Sequence, residues 1–181
     1  SITTAERKEL QRKLDATLAG TRHKRYGNRL NQLLKYLGRG FELHLKKADV
    51  PTVHYVEWDE FQQILPHIKN EDIRALAVVL FCTGVRLGEA FMLKPRDLKP
   101  NMSIHISRQL DRHLQVREVK NRKPHSTILL DEGIEAFKRW AAIPDKESFR
   151  KRVQHPIINA ARKAFKDKER QISPHDLRHS Y

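Results

Sequence analysis

The sequence has a single cysteine, Cys82, so no disulfide can form within the chain. This excludes a disulfide-stapled secreted scaffold and fits a reducing compartment. Cys82 lies in the apolar run LAVVLFC, where a lone thiol is expected to fill core space. Long apolar runs are also missing. None approaches the roughly 20 residues of a membrane-spanning helix. The first residues, SITTAERKELQRKL, are charged throughout, unlike a signal peptide. The expectation is a soluble cytoplasmic protein with no membrane partner. Acidic residues are scarce as well: 22 Asp and Glu face 36 Lys and Arg, for a formal charge of +14 over 181 residues.

That charge is uneven. Residues 1–50 carry +7, residues 51–100 carry −1, and residues 101–181 carry +8. Two basic ends around a near-neutral apolar middle predict a core with basic surfaces, and hence a polyanionic partner. A purely solubilising charge is the plain alternative, but a small domain ordinarily needs only about 2–8 charges for that. The length suits one large domain, or one domain with an appendage, and is enough to bury a core.

The chain reads as helices, a small sheet, then helices. Thr3 and Glu6 have capping-box spacing ahead of a helix over about 5–19, charged enough to be an exposed arm. The stretch TRHKRYGNRLNQLLKYLG is a second helix closed by Gly38, with Leu30, Leu33, Leu34 and Leu37 as its apolar stripe. Arg22, Lys24, Arg25 and Arg29 crowd its first half, either as a solvated face or as phosphate contacts. LHLKKADVPTVHYV reads as a linker and EWDEFQQIL as a short helix broken near Pro66. NEDIRALAVVLFCTGV is the most apolar helix, capped by Asn70 and ended by Gly84. A short helix, RLGEAFML, stops at Pro95. SIHISRQL, LQVREVK and HSTILL are strand-like, with NRKP as a turn. DEGIEAFKRWA, ESFRKRVQHPIINAARKAFKD (split by Pro156) and SPHDLRHSY are helical. The predicted class is mainly α with a small antiparallel β meander (α+β), divided into a basic helical segment, 1–50, and a larger domain, 51–181.

Three stretches carry chemistry. In SPHDLRHSY, Ser173 is a good N-cap and Asp176 completes a capping-box-like spacing. His175, Arg178 and His179 then fall in the first two turns, with His175 and Arg178 on one face. An imidazole and a guanidinium there suit an anion, though a capped surface helix would look the same. In CTGVRLGEAFMLKPRDL, Arg86 follows the most apolar helix, where a guanidinium needs a partner or a cleft. Glu89, three residues on, can orient it, and an internal pair is the simpler account. In REVKNRKPHSTILL, Lys120 and Lys123 flank a turn that is either solvated or presents an ammonium.

Taken in order, TGVRLGEAFMLKPRDL, VKNRKPHSTILL and SPHDLRHSY resemble the catalytic domain of the tyrosine recombinase (phage integrase) family, over roughly residues 53–181. Residues 1–50 match less clearly, as the end of that family's core-binding domain. The resemblance implies site-specific recombination (integration or excision) of double-stranded DNA through a 3′-phosphotyrosine. It implies no cofactor, no ATP and no metal, and a homotetramer on DNA. Arg86 and Arg178 match the arginines that clamp the scissile phosphate, Lys120 the hairpin lysine that protonates the leaving 5′-oxygen, and His175 the histidine that helps move the proton. Glu89 and His179 match supporting positions. Arg22, Lys24, Arg25, Arg29, Arg122 and Lys123 are the expected DNA contacts. The long stretch RQLDRHLQ leaves Lys123 open as a substitute for Lys120. The family's nucleophilic tyrosine lies well beyond the position of Arg178, so the expectation is a chain that stops inside the site, with Tyr181 as a packing residue. Two rivals stand beside this reading. One is a DNA-binding module without catalysis. The other is a metal enzyme built on His175 and His179 at i, i+4, which Arg178 disfavours.

Overall fold

The computed structural model describes residues 3–17, 20–39, 41–45, 55–119, 123–165 and 172–181. It divides into two compact units, Ser1–Thr52 and Val53–Tyr181.

The first unit is a pair of helices, α1 (Thr4–Thr17) and α2 (Gly20–Tyr36). The capping box forms: Thr3 N–H donates to Glu6 Oε2 at 2.7 Å, and Glu6 N–H returns to Thr3 Oγ1 at 3.3 Å. At the far end of α2, Gly38 takes a positive φ of 64° and Arg39 N–H donates to Leu34 O at 2.9 Å. The buried core is small: Leu14, Leu34 and Leu43, with Leu10, Leu30, Phe41 and Leu45 packed around them. Two amides fasten the segment after α2. Asn31 both donates to Leu43 O and accepts from its N–H, and Gln11 does the same for His44. Two expectations change. The helix read as an exposed arm buries Leu14. Of the leucine stripe on α2, only Leu34 is fully buried, while Leu33 and Leu37 stand more than half exposed. Among the described residues of this unit, α1 and the segment 41–45 cover the Leu34 side of α2 and leave Leu33 and Leu37 open.

The second unit holds the main core. Asn70 caps α4 (Glu71–Thr83) by accepting from the N–H groups of Asp72 and Ile73. Nearly every residue from Ile73 to Thr83 is buried. Around α4 lie α3 (Trp58–Ile64), α6 (Ile134–Ala142), α7 (Gln154–Ala164) and α8 (Pro174–His179). Phe61 stacks on Phe81 with ring centres 4.4 Å apart. Trp140 of α6 packs edge-on against Phe91 and donates its indole N–H to Ala90 O at 2.7 Å. Pro156 sits in the first turn of α7, where the helix needs no N–H from it. Cys82 is core filler. Burial, then the nearby Glu132, raises its thiol to about 11.

Four short strands follow α4 in the chain: β1 (Ser103–Ile106), β2 (Arg108–Leu110), β3 (Val116–Glu118) and β4 (His125–Ile128). The antiparallel β content is as expected, but its order is nested. β2 pairs with β3, and β1 pairs with β4 outside them. The reason lies in the tip: Asp111 Oδ1 accepts from the N–H groups of His113 and Gln115, and Leu114 takes a φ of 61°. This closes β2 on β3 and leaves β4 free to return to β1. Part of the NRKP turn, Asn121 and Arg122, lies outside the described residues, as does the heart of the linker, 46–54.

Gly84 sets the direction of everything after α4. Its φ is 63°, the left-handed cap that releases the chain from the helix. A Cβ there would meet the ring of Tyr181 at 2.8 Å. Gly84→Ala is therefore expected to lower stability by about 1–3 kcal/mol, the left-handed cost of an L-residue plus displacement of the ring. Urea unfolding of the two proteins, compared at equal m-values, checks this.

Candidate functional site

The site assembles where the end of α4, the start of α5 (Leu87–Ala90), β4 and α8 meet. Gly84 turns the chain, Val85 plugs the core, and Arg86 becomes the N-cap of α5. Glu89 is 1% exposed and grips Arg86 twice. Its Oε2 accepts the Arg86 backbone N–H at 2.8 Å, and its Oε1 accepts Arg86 Nη1 at 2.8 Å. The carboxylate thus fixes both the main chain and the guanidinium of one residue. The side chain of Arg86 remains 40% exposed. Its guanidinium has five N–H donors, so one bond to Glu89 leaves others for an outside acceptor.

α8 supplies the second half. Ser173 caps it, with Asp176 Oδ2 accepting from Ser173 N–H and Oγ at 2.8 and 2.6 Å. Ile172, Pro174 and Leu177 are buried, so Arg178 is half-buried and His175 and His179 lie outward. Burial, then the Arg86 charge, pushes the Arg178 guanidinium below its ordinary value, and Glu89 opposes this. Burial, then His179 and Arg178, pushes His175 below the ordinary 6.5, with Arg86 adding to the shift and Asp176 opposing it. His175 and His179 bring their Nε2 atoms to 3.1 Å. One must donate and the other accept, so both cannot carry two protons in this arrangement.

Arg86 and Arg178 therefore bring two positive charges near each other beside one buried carboxylate, which grips Arg86, with His175 on the same helix as Arg178. Such a cluster is costly by itself and is relieved by an anion with several acceptor oxygens. Glu89 and His179 sit at its edge, each bonded to one of its members. Among the described residues, no group of three or more His, Cys, Asp or Glu side chains is placed to hold a metal ion.

The other expected residues lie on α2, next to β4 or outside the described residues. Lys120 and Arg122 lie outside the described residues, and Lys123 is exposed just ahead of β4. Arg22, Lys24, Arg25 and Arg29 are exposed on α2. Arg22, Arg25 and Arg29 follow i, i+3, i+7 and share a face opposite the buried His23 and Gly27, while Lys24 stands apart.

Two residues at the site went unnoticed in the sequence. His125 opens β4 and brings Nε2 to 3.8 Å from Glu89 Oε2. Thr127, two residues on, donates Oγ1 to Thr83 O at 2.7 Å and so fastens β4 to the end of α4. Both share a face because a strand alternates with period two. The sequence signal was that alternation, His125, Thr127, Leu129, but Ile128 and Leu130 competed for the inward face. Tyr181 closes the site on the other side. Its ring lies on Gly84 and its hydroxyl donates to Ile128 O at 3.0 Å.

Arg86 at the cap of α5, and His175 and Arg178 on the capped α8, thus stand beside the nested hairpin, which Tyr181 and Thr127 fasten to them and to the end of α4. The second unit has the architecture of a tyrosine recombinase catalytic domain, and solved structures of such proteins match the chain. It superposes on the Tn1549 transposon integrase in complex with a circular intermediate DNA with a TM-score of 0.69 at 16% identity, covering 99% of this chain and 71% of that one. It matches a lambda integrase dimer bound to a COC′ core site with a TM-score of 0.68 at 15% identity, over 99% and 72% of the two chains. It matches the XerH site-specific recombinase bound to its difH substrate at 0.64 and 20% identity, over 99% and 58%. No protein-family model matches the sequence, and no curated protein does.

The depressed His175 gives a pH test. A native state that binds this proton less readily than the unfolded chain is stable above pH 6.5 and loses stability as pH falls from there through the native midpoint. The His175 ring resonances are expected to titrate with a midpoint below 6.5, and His179→Ala is expected to move that midpoint upward. A two-dimensional NMR titration of both proteins checks it.

Proposed function

We propose that this chain contains the phosphate-handling centre of a tyrosine-type site-specific recombinase acting on double-stranded DNA. The observation that carries this reading is the part-exposed Arg86, gripped by the buried Glu89 carboxylate, with His175 and Arg178 on the α8 helix packed against α4. The fold shared with DNA-bound integrases and recombinases supports it.

In the proposed reaction a tyrosine oxygen attacks the scissile phosphorus. The bond to the 5′-oxygen breaks, leaving a 3′-phosphotyrosine and a 5′-hydroxyl. Negative charge grows on the two non-bridging oxygens, where Arg86 and Arg178 donate. Both arginines stay protonated, so this stabilisation needs no proton bookkeeping and no metal. His175, disposed to be neutral, accepts the tyrosine proton or hydrogen-bonds the phosphate. Lys120, or Lys123 in its place, protonates the departing 5′-oxygen. Reversal by a partner strand's hydroxyl completes exchange without ATP. Residues 1–50 are assigned to the end of a core-binding domain, with Arg22, Lys24, Arg25 and Arg29 on DNA phosphates, and Arg122 and Lys123 as further contacts. The active form is a homotetramer on DNA, in the nucleoid of a bacterial or phage-infected cytoplasm.

Tyr181 is excluded as the nucleophile in this reading. Its hydroxyl is engaged by Ile128 O and its ring is wedged on Gly84, whereas in-line attack needs the oxygen about 3–3.5 Å from phosphorus. Nicked suicide DNA incubated with the 181-residue chain is expected to give no covalent adduct on a denaturing gel. A shifted band that vanishes in Tyr181→Phe overturns this assignment.

The clamp is tested in a form of the protein that cleaves DNA. Arg86→Ala and Arg178→Ala are each expected to slow cleavage by at least about 100-fold. Duplex binding, which many other cations share, stays within a few-fold and falls by orders of magnitude between about 50 and 200 mM salt. Cleavage by either variant at the wild-type rate removes that arginine from the site. Binding without any cleavage by the unaltered protein favours a DNA-binding module instead.

A further inference from the structure

The buried Glu89 carboxylate has a neighbour that the clamp itself does not use. Each of its oxygens accepts one hydrogen bond from Arg86, and a carboxylate has about four acceptor positions. His125 Nε2 stands 3.8 Å from Oε2, with its own side chain 42% exposed. The strand register keeps it there: His125 lies opposite the buried Ile106, and Thr127 opposite the buried Ile104. Paired residues of an antiparallel ladder share a face, so His125 is turned toward the core side of the ribbon. The bond from Thr127 Oγ1 to Thr83 O locks that face against the end of α4.

His125 is also the first residue of β4, directly after the stretch that carries Lys120, Arg122 and Lys123. One imidazole at the start of β4 thus faces the carboxylate that aims Arg86. The geometry points to His125 as a positioning residue for the phosphate clamp: it acts on Glu89, and through Glu89 fixes the guanidinium of Arg86, without itself touching the anion. This inference rests on the recombinase reading of the same site. It adds a third member to the Arg86–Glu89 pair and makes the nested ribbon part of the clamp's support.

Inorganic phosphate serves as the probe, with the 181-residue chain as it stands and the His175 ring resonances as the readout. His125→Ala is expected to weaken phosphate binding about three- to tenfold, the range of coupling between neighbouring residues. His125→Leu, which keeps bulk but no N–H, should weaken it equally. His125→Gln, which restores a donor, should return affinity to within about twofold of wild type. On a Glu89→Gln background, His125→Ala should add nothing further, because its effect runs through that carboxylate. Wild-type affinity in both His125→Ala and His125→Leu overturns the inference and leaves the clamp intact. A full additional loss on the Glu89→Gln background also overturns it, since His125 would then touch the anion itself. No response of His175 to phosphate in the unaltered chain removes the clamp, and the inference with it.

Discussion

Glu89 is a carboxylate almost wholly removed from water, beside a guanidinium that is not. Removing such a charge from water costs several kcal/mol unless it is paired and hydrogen-bonded. Here one residue supplies both bonds, through its backbone and its side chain. That economy fixes Arg86 in φ, ψ and side-chain direction at once. The rest of the second unit then follows from it. α4 must end where it does so that Arg86 falls at the cap, α5 must begin at once, and α8 must bring Arg178 up to a charge that is already in place. Burial first, and the crowding of like charges second, lowers both His175 and Arg178.

The end of α4 is the joint on which this turns. Its last carbonyl groups, unable to find partners in the helix, are taken up from outside. Thr83 O accepts Thr127 Oγ1, and Cys82 O accepts Leu130 N–H. The orphaned end of a helix is normally a liability. Here the same groups register β4 against the core and hold the ribbon that leads to the basic segment. The neighbouring Gly84 leaves room for Tyr181, so α8 is wedged against the opposite side of the same turn. A buried ammonium plays a comparable part farther off, where Lys146 Nζ donates to Leu93 O and Ala141 O.

Much of this was legible in the sequence where the cause is local. Asn70 and Ser173 as caps, Gly38 and Gly84 as terminators, and the Thr3–Glu6 box are all short-range chemistry, and each forms as read. The Arg86–Glu89 pair was legible too, because three residues separate its members. What escaped depends on partners far along the chain. His125 faces Glu89 only because β4 pairs with β1 rather than with β3, and the hydrophobicity of Ile128 and Leu130 argues for the opposite face. The leucines of α2 followed a helical stripe faithfully, yet Leu33 and Leu37 stay exposed because none of the described residues of that unit covers them. Periodicity says which residues share a face; it does not say how wide a neighbour will cover it.

A long-range hydrogen bond joins α8 to the start of the second unit. Val56 N–H, at its first turns, donates to Ser180 Oγ at 2.7 Å, and Val56 is itself buried. The same Ser180 hydroxyl donates to Asp176 O inside α8. The start of the unit is therefore tied directly to the short helix that bears His175 and Arg178. A pull on the chain at Val56 would load this hydrogen bond, and would thus be felt at that helix before it was felt in the core.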